Sequence, residues 1–306
     1  MKTTEIANPI YDTVFKYLME DNKVAKLLVS TIIGEKVVEL DPRPQEYTTE
    51  QIDVEGKITP LTVYRLDFHA KIKLAEGGYK LVVIELQKAS LPTDIVRFQG
   101  YLGKRYSEKD KGVVGEDGVP EPLQIYAIYF LGDDLKICDT PVLRVFPTVV
   151  DVATQQEVKA KSKFIESLNH KCWIIQISCL KGRRRNEIEQ LLAVFDQGNC
   201  TSDKHVLNVR EEDYPKKYHP VIRRLKAAAA DSEVKKRMVI EDEHLEYIKN
   251  AIRSARFEER QKAREEMKAE MEGIIAQNAQ ALAQKDQALE QTLKELQELK
   301  QKHGLN

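Results

Sequence analysis

A tight glycine turn between two β-rich segments sets the strongest limit on how this chain can fold. The segments are residues 62–74 and 79–86, and Glu76-Gly77-Gly78 lies between them. β-branched and aromatic side chains favour strands, and paired glycines in so short a connection are typical of a hairpin turn. The sequence therefore predicts an antiparallel hairpin folded around residues 76–78.

The segments on either side of this hairpin predict an α/β domain. The apolar residues of segment 8–33 recur at three-to-four spacing, which indicates a helix, and Gly34 stands where a C-cap would. An extended stretch over residues 46–54 precedes the hairpin, and a second helix over 93–109 and a buried strand over 123–131 follow it. The predicted order is α-β-β-β-α-β.

Three later segments extend the same domain. They are a strand over residues 143–150, an apolar run over 172–180 and an amphipathic helix over 185–195. With them, the first domain is placed at residues 1–200. Residues 201–231 contain two prolines around an irregular piece, and we expect a linker with a short helical segment there.

The composition changes near Ser232. Residues 232–306 are rich in Glu, Lys, Gln, Ala and Arg and contain no proline, which predicts a long charged helix. Large aliphatic residues recur in it every seven positions, at Ile275, Leu282, Leu289 and Leu296. The positions three residues before each of them are mostly polar, so a coiled coil and a single solvated helix both stay open. We expect this helix to mediate homo-oligomerisation.

Charge and hydrophobicity limit the classes of partner. The net charge is -1, so a DNA-binding surface has to come from local clusters of Lys and Arg. Residues 181–185, which include Arg183 and Arg184, form such a cluster; it fits phosphate contacts and a solvated helix start equally. The N-terminus is polar and no apolar run reaches about 18 residues, so we expect a cytoplasmic chain without a membrane span.

Two carboxylates occupy strand positions that otherwise suit burial. Asp67 lies inside one strand of the hairpin and Glu85 ends the other, and a buried carboxylate is costly unless it is paired, hydrogen-bonded or metal-bound. The hairpin can bring them side by side, with Gln87 on the same face as Glu85 because strands have a period of two. His69 is expected to point to the opposite face and pack. The alternative is that both acids are ordinary surface residues at strand ends.

Paired carboxylates point to a particular chemistry. Two of them in close approach raise each other's pKa unless a cation neutralises them. Hard oxygen ligands select Mg²⁺ or Mn²⁺ rather than zinc. Such a site polarises a phosphodiester and lowers the pKa of an attacking water. The four cysteines show no zinc-ligand spacing, so we expect them to be ordinary thiols.

Four short stretches of the first half combine these features. They are Tyr11-Asp12-Thr13-Val14-Phe15-Lys16, Leu66-Asp67-Phe68, Ile84-Glu85-Leu86-Gln87 and Arg97-Phe98-Gln99-Gly100-Tyr101. Together they resemble the PD-(D/E)XK nuclease family transposases, also called Rpn-type recombination-promoting nucleases, over roughly residues 8–130. The resemblance implies a restriction-endonuclease-like α/β core of α-β-β-β-α-β order with a mixed central sheet, here followed by the helical extension.

The resemblance also implies roles for individual residues. Asp67 and Glu85 would bind a divalent metal, Mg²⁺ or Mn²⁺, and Gln87 would take the place of the motif lysine. Asp12 would add a third acid to the metal shell. From helical spacing alone, Asp12 could instead form an i,i+4 ion pair with Lys16.

The activity implied is Mg²⁺-dependent hydrolysis of DNA phosphodiester bonds, of the transposase or recombination-promoting type. Arg97 and Gln99, on the helix after the motif, would flank the site and contact DNA phosphate. RNA is the second option for the substrate. Glutamine at position 87 cannot supply the positive charge that a lysine gives the transition state. The alternative function is therefore a weak or inactive nuclease-fold module that acts as a DNA-binding or assembly protein through its C-terminal helix.

Overall fold

The computed structural model describes residues 3–42, 46–52, 58–65, 68–88, 99–100, 102–103, 106, 112–114, 120–159 and 162–302. The chain divides into two compact units, Met1–Glu241 and Asp242–Asn306.

The elements of the described residues are numbered in chain order. The strands are β1 (Thr4–Ala7), β2 (Val37–Pro42), β3 (Glu46–Ile52), β4 (Ile58–Arg65), β5 (Phe68–Leu74), β6 (Tyr79–Gln87), β7 (Gly112–Val114), β8 (Pro120–Pro122), β9 (Ile125–Leu131), β10 (Val142–Val145), β11 (Lys171–Gln176) and β12 (Val206–Val209). The α-helices are α1 (Asp12–Glu20), α2 (Asn22–Ile33), α3 (Lys163–Leu168), α4 (Glu187–Leu192), α5 (His219–Ala230) and α6 (Ser232–Lys302). Short 3-10 helices cover Ile177–Leu180, Ala193–Phe195, Gln197–Asn199, Glu211–Asp213 and Lys216–Tyr218.

A mixed sheet forms the centre of the first unit. Within the described residues it contains six strands in the order β10-β11-β9-β6-β5-β2. β2, β5 and β6 are antiparallel neighbours, β6, β9 and β11 run parallel, and β10 closes one edge antiparallel to β11. The predicted α/β class with a mixed sheet is confirmed.

The predicted hairpin is confirmed as β5 and β6. Gly77 and Gly78 have φ angles of 93° and 81°, in the left-handed region that glycine enters without a steric penalty. The turn closes through a hydrogen bond from the Leu74 N–H to the Gly78 carbonyl oxygen, at 3.1 Å.

The single helix predicted over residues 8–33 is wrong. The segment begins with a turn after β1 and then forms two helices, α1 and α2. The break lies at Asp21, whose backbone is extended. Its carboxylate accepts hydrogen bonds from the N–H groups of Lys23 (2.9 Å) and Val24 (3.3 Å), so it is the N-cap of α2. Gly34 is the left-handed C-cap that was predicted, and its N–H donates to the Ser30 carbonyl oxygen at 3.0 Å.

The single strand predicted over residues 62–74 is also wrong. β4 ends at Arg65 and pairs with β3 in a separate two-stranded sheet, whereas β5 begins at Phe68 in the central sheet. The cause is local: β3 and β4 form their own antiparallel pair, so the first half of the predicted strand has a different partner from the second half.

Both faces of the central sheet carry apolar side chains, which explains the unbroken apolar runs of its strands. The larger core lies on one face and includes Ile84, Leu86 and Phe130 together with residues of α1, α2 and α5. The smaller cluster lies on the other face and includes Val83, Ala127 and other strand residues.

Residues 201–231, which the sequence analysis assigned to a linker, contribute to the first unit. β12 pairs antiparallel with β1, and α5 packs four buried residues into the larger core: Val221, Ile222, Leu225 and Ala228. Pro220 lies in the first turn of α5, where its missing N–H costs nothing. This proline therefore starts a helix.

The long C-terminal helix predicted from Ser232 is confirmed as α6. Its first residues, up to Glu241, belong to the first unit, and Val234 and Met238 are buried there. The second unit, from Asp242, exposes the predicted seven-residue series, with Leu282 and Leu289 about 60% exposed (62% and 61%).

None of the helices in the described part of the chain is long and apolar enough to cross a bilayer.

Candidate metal centre

The end of β6 carries the first candidate ligand. Glu85 is 1% exposed and lies on a strand flanked by β5 and β9 in the middle of the sheet. It pairs in parallel register with Tyr129 of β9. Burial raises the pKa of Tyr129, and the nearby Cys172 and Glu85 raise it further. A carboxylate in this environment is costly unless a positive charge or hydrogen bonds compensate it.

Gln87 lies two residues further along β6, so its side chain points to the same face as Glu85. Its Nε2 atom is buried and has no hydrogen-bond acceptor among the described residues. Its carbonyl oxygen accepts a hydrogen bond from the Gly132 N–H at 2.7 Å. A Cβ at Gly132 would overlap the carbonyl oxygen of Lys88, so only glycine permits this approach between the ends of β6 and β9.

Asp67 lies outside the described residues. The register of β5 and β6 is described as far as the pair Phe68–Ile84, which ends one residue short of Asp67 and Glu85. The shared position of these two carboxylates therefore stays a prediction.

The helix predicted over residues 93–109 falls largely outside the described residues, and Arg97 is among those not described. Gln99 is helical and exposed. Leu102 is also helical, and it packs with Val83 in the smaller cluster. The contacts of Arg97 and Gln99 with DNA stay predictions.

His69 corrects the sequence analysis. It pairs with Val83, two residues before Glu85, so its side chain lies on the same face of the sheet as Glu85. It is 3% exposed. We expected it to face away, but the strand period of two, counted from position 67 to position 69, gives the same side. A buried imidazole therefore belongs to the surroundings of Glu85.

Asp12 is the first residue of α1, and its carboxylate is partly used. Its Oδ2 accepts a hydrogen bond from Lys16 Nζ at 2.6 Å, which is the i,i+4 ion pair that helical spacing allows. Its Oδ1 is buried and has no hydrogen-bond donor within the described residues. One carboxylate oxygen of Asp12 is thus placed to accept a further donor or a cation.

The start of α1 lies beside the ends of the hairpin strands. Lys88 Nζ is 3.3 Å from the centroid of the Tyr11 ring, and Tyr11 directly precedes Asp12. Phe68, the first described residue of β5, lines the same cleft of about 860 Å³ as Asp12. α1 packs on the larger core, opposite the face to which Glu85 points. Asp12 can therefore approach the other acids only around the strand ends.

Glu241 is an acid that the sequence analysis missed. Its Oε2 accepts a hydrogen bond from the Asp12 N–H at 3.0 Å. Its Oε1 accepts from the Thr13 N–H at 2.7 Å and from the Thr13 hydroxyl. Burial raises the pKa of Glu241, hydrogen bonds from Thr13 oppose that effect, and the charge of Asp12 adds to it. Nothing in the local sequence connects two positions so far apart.

The arginine cluster is held in ion pairs inside the first unit. Arg183 Nη2 is 2.9 Å from Asp139 Oδ2, and Arg184 Nη1 is 3.8 Å from Asp196 Oδ2. These contacts favour the helix-start interpretation, because paired guanidinium groups have less charge to offer a phosphate. Phosphate binding by Arg183 and Arg184 stays a prediction.

The described residues contain no group of three or more His, Cys, Asp or Glu placed to share a metal ion. Asp67 is not among them, so the proposed carboxylate group is not covered by this finding. The cysteines are all free thiols: Cys138, Cys172, Cys179 and Cys200. No family model, no curated protein and no solved structure matches this chain.

Proposed function

We propose that the first unit is a metal-dependent DNA endonuclease of the PD-(D/E)XK type, with Asp67 and Glu85 as its principal metal ligands and Asp12 as a third. The observation that carries the proposal is the buried carboxylate of Glu85 at the end of a central strand, next to the buried amide of Gln87. A charged group at such a place requires hydrogen bonds, a paired charge or a bound metal ion, and a metal ion is the ligand that we propose.

The order of elements supports the same proposal. Helices α1 and α2 precede the antiparallel strands β2, β5 and β6. Helical residues 99–100, 102–103 and 106 follow, and β9 then pairs parallel to β6. This order, with the β3–β4 pair inserted, is compatible with the α-β-β-β-α-β core that the proposal implies. The proposal requires the β5–β6 register to continue by one residue, because that would set Asp67 opposite Glu85.

The available oxygen donors suit a hard divalent cation. Carboxylates favour Mg²⁺ or Mn²⁺, and the buried Oδ1 of Asp12 is an acceptor that a cation would satisfy. Bound there, the metal would polarise a phosphodiester oxygen and lower the pKa of the attacking water. Gln87 would orient that water or a phosphate oxygen through its amide, but it adds no positive charge. The buried imidazole of His69 would help to exclude bulk water from Glu85.

The test is nicking of supercoiled plasmid by the full chain with Mg²⁺, with Mn²⁺ and with EDTA. We expect metal-dependent nicking that is lost in Asp67→Asn and in Glu85→Gln. Glu189→Gln is the matched control, because Glu189 is also a buried acid (2% exposed) and forms a structural ion pair with Arg185. Nicking that persists in both site variants would disprove the assignment. Parallel assays with single-stranded DNA and RNA identify the substrate.

The second candidate is an inactive nuclease-fold module that binds DNA or assembles through its C-terminal helix. The neutral Gln87 at the motif position favours it. A chain that binds DNA in a gel-shift assay, yet never nicks it with either metal, would establish this alternative in place of the endonuclease.

Self-association through the second unit is the proposed mode of assembly. A 71-residue helix that exposes leucines at a seven-residue interval favours burial against a second helix. We expect Leu282→Glu with Leu289→Glu to reduce the molar mass measured by light scattering. Gln280→Glu with Gln287→Glu is the matched control on the same helix. An unchanged mass in the leucine variant would contradict assembly through this stripe.

A further inference from the structure

The first turn of α1 is capped from a distant part of the chain. Helix N-termini leave N–H groups without partners inside the helix. Tyr11, at the N-cap position of α1, makes no side-chain capping hydrogen bond. The carboxylate of Glu241 instead accepts from the N–H groups of Asp12 and Thr13, at 3.0 and 2.7 Å, and from the Thr13 hydroxyl.

The residue that provides this cap is itself anchored. Glu241 lies in the third turn of α6. The start of α6 is capped by Asp231, whose Oδ1 accepts from the Glu233 N–H at 2.8 Å and from the Val234 N–H at 3.2 Å. Val234 and Met238 are buried in the larger core of the first unit. The carboxylate of Glu241 is therefore presented from a rigid element.

Two contacts fix Asp12 in one orientation. Its backbone N–H is held by Glu241, and its Oδ2 is held by Lys16 Nζ at 2.6 Å. The remaining carboxylate oxygen, Oδ1, is buried and has no hydrogen-bond donor within the described part of the chain. Both contacts therefore limit where Oδ1 can point. Asp12, Phe68 and Glu241 all line one cleft, and Phe68 is the first described residue of β5.

We propose that Glu241 is a positioning residue for the metal site: by capping α1 it aims the Oδ1 of Asp12 at the metal. This inference rests on the endonuclease function proposed above. Groups that orient a metal ligand without touching the metal commonly contribute about 10- to 100-fold to metal affinity. Glu241 fits that description, because its bonds go to the backbone and hydroxyl of the first turn.

The test measures Mn²⁺ binding to the full chain by electron paramagnetic resonance, together with the melting temperature of each variant. We expect Mn²⁺ to bind the wild type, to bind Asp12→Asn more weakly, and to bind Glu241→Gln about 10- to 100-fold more weakly. Glutamine keeps one carbonyl oxygen for Thr13 but loses the acceptor for the Asp12 N–H. Thr13→Val removes only the hydroxyl bond, so it keeps the test informative if Glu241→Gln does not fold; a smaller loss of affinity is expected.

Glu189→Gln is the control for loss of stability alone. It removes a buried carboxylate that also accepts a backbone N–H, that of Arg185 at 2.8 Å, and it should leave Mn²⁺ affinity unchanged. The positioning role would be overturned, with the metal site left in place, by either of two results. One is that Glu241→Gln binds Mn²⁺ as tightly as Glu189→Gln does. The other is that Asp12→Asn binds Mn²⁺ as tightly as the wild type does. A wild type that binds no Mn²⁺ would overturn the metal site itself, and the inference with it.

Discussion

Two carboxylates of the first unit, buried Glu189 and half-buried Glu241, both accept backbone N–H groups but have opposite electrostatic surroundings. Glu189 accepts the backbone N–H of Arg185 and three hydrogen bonds from its guanidinium, the shortest at 2.6 Å. Glu241 accepts two backbone N–H groups and a hydroxyl, and its charged neighbour is another acid, Asp12. The hydrogen bonds of Arg185 lower the pKa of Glu189, whereas burial raises the pKa of Glu241.

This difference separates a stabilising ion pair from a candidate site. Around Glu189 the charge is compensated within the protein itself. Around Glu241 and Asp12 two negative groups are held together, and Lys16 pairs with only one of them in the described structure. Two neighbouring acids raise each other's pKa unless a cation neutralises them, which is why the surroundings of Asp12 suit the metal that we propose.

The largest expected effect on stability comes from comparing two i,i+4 ion pairs, Arg185–Glu189 and Lys16–Asp12, after the basic residue of each is removed. We expect Arg185→Met to lower the free energy of unfolding more than Lys16→Met does, because it leaves a buried carboxylate without its charged donors. Lys16→Met should cost no more than about 0.5 kcal/mol, because exposed or partly exposed i,i+4 pairs contribute little. Urea denaturation measures both. If Lys16→Met lost as much free energy of unfolding as Arg185→Met, the two acids would not differ in the way described above.

Helix capping gives the next largest effect. Asp21→Ala removes the local cap of α2 and should cost about 1 kcal/mol. Thr13→Val removes one of the three bonds to the remote cap of α1 and should cost about 0.5 kcal/mol, because both backbone bonds to Glu241 remain. Thermal and urea denaturation of the two variants test this order. A larger loss in Thr13→Val would mean that the hydroxyl dominates the cap.

The pH dependence gives the smallest effect, and its sign should differ between the two acids. The contribution of Glu189, with a lowered pKa, is present above the ordinary value of 4.5 and is lost as the pH falls below it. The contribution of Glu241, with a raised pKa, is present below 4.5 and is lost as the pH rises through the raised value. Melting temperatures of the wild type, Glu189→Gln and Glu241→Gln from acidic to neutral pH should therefore diverge in opposite directions. Parallel curves would contradict this assignment.

The features that the sequence predicted correctly are those that depend on residues close together in the chain. The hairpin followed from Gly77-Gly78, the end of α2 followed from Gly34, and the long helix followed from a proline-free charged segment. The break at Asp21 was missed because the apolar spacing of residues 8–33 continues across it, although aspartate is a common N-cap.

The rest depended on contacts between distant segments. β1 pairs with β12, and Asp12 is bonded to Glu241, across most of the first unit. Neither partner carries a motif that points to the other. The position of His69 beside Glu85 was different, because a correct count along the strand predicts it. For the candidate site, the sequence therefore predicted Glu85 and Gln87 on one face but not the acid that caps α1.

Gly132 has a consequence for genetic screens of this protein. Any side chain there would strike the carbonyl of Lys88 and separate the ends of β6 and β9, on which Glu85 and Gln87 depend for their placement. In a library of random variants, position 132 should be as intolerant as a metal ligand, although glycine has no group that could take part in chemistry. A map of intolerant positions would thus include a residue that matters only because it has no side chain.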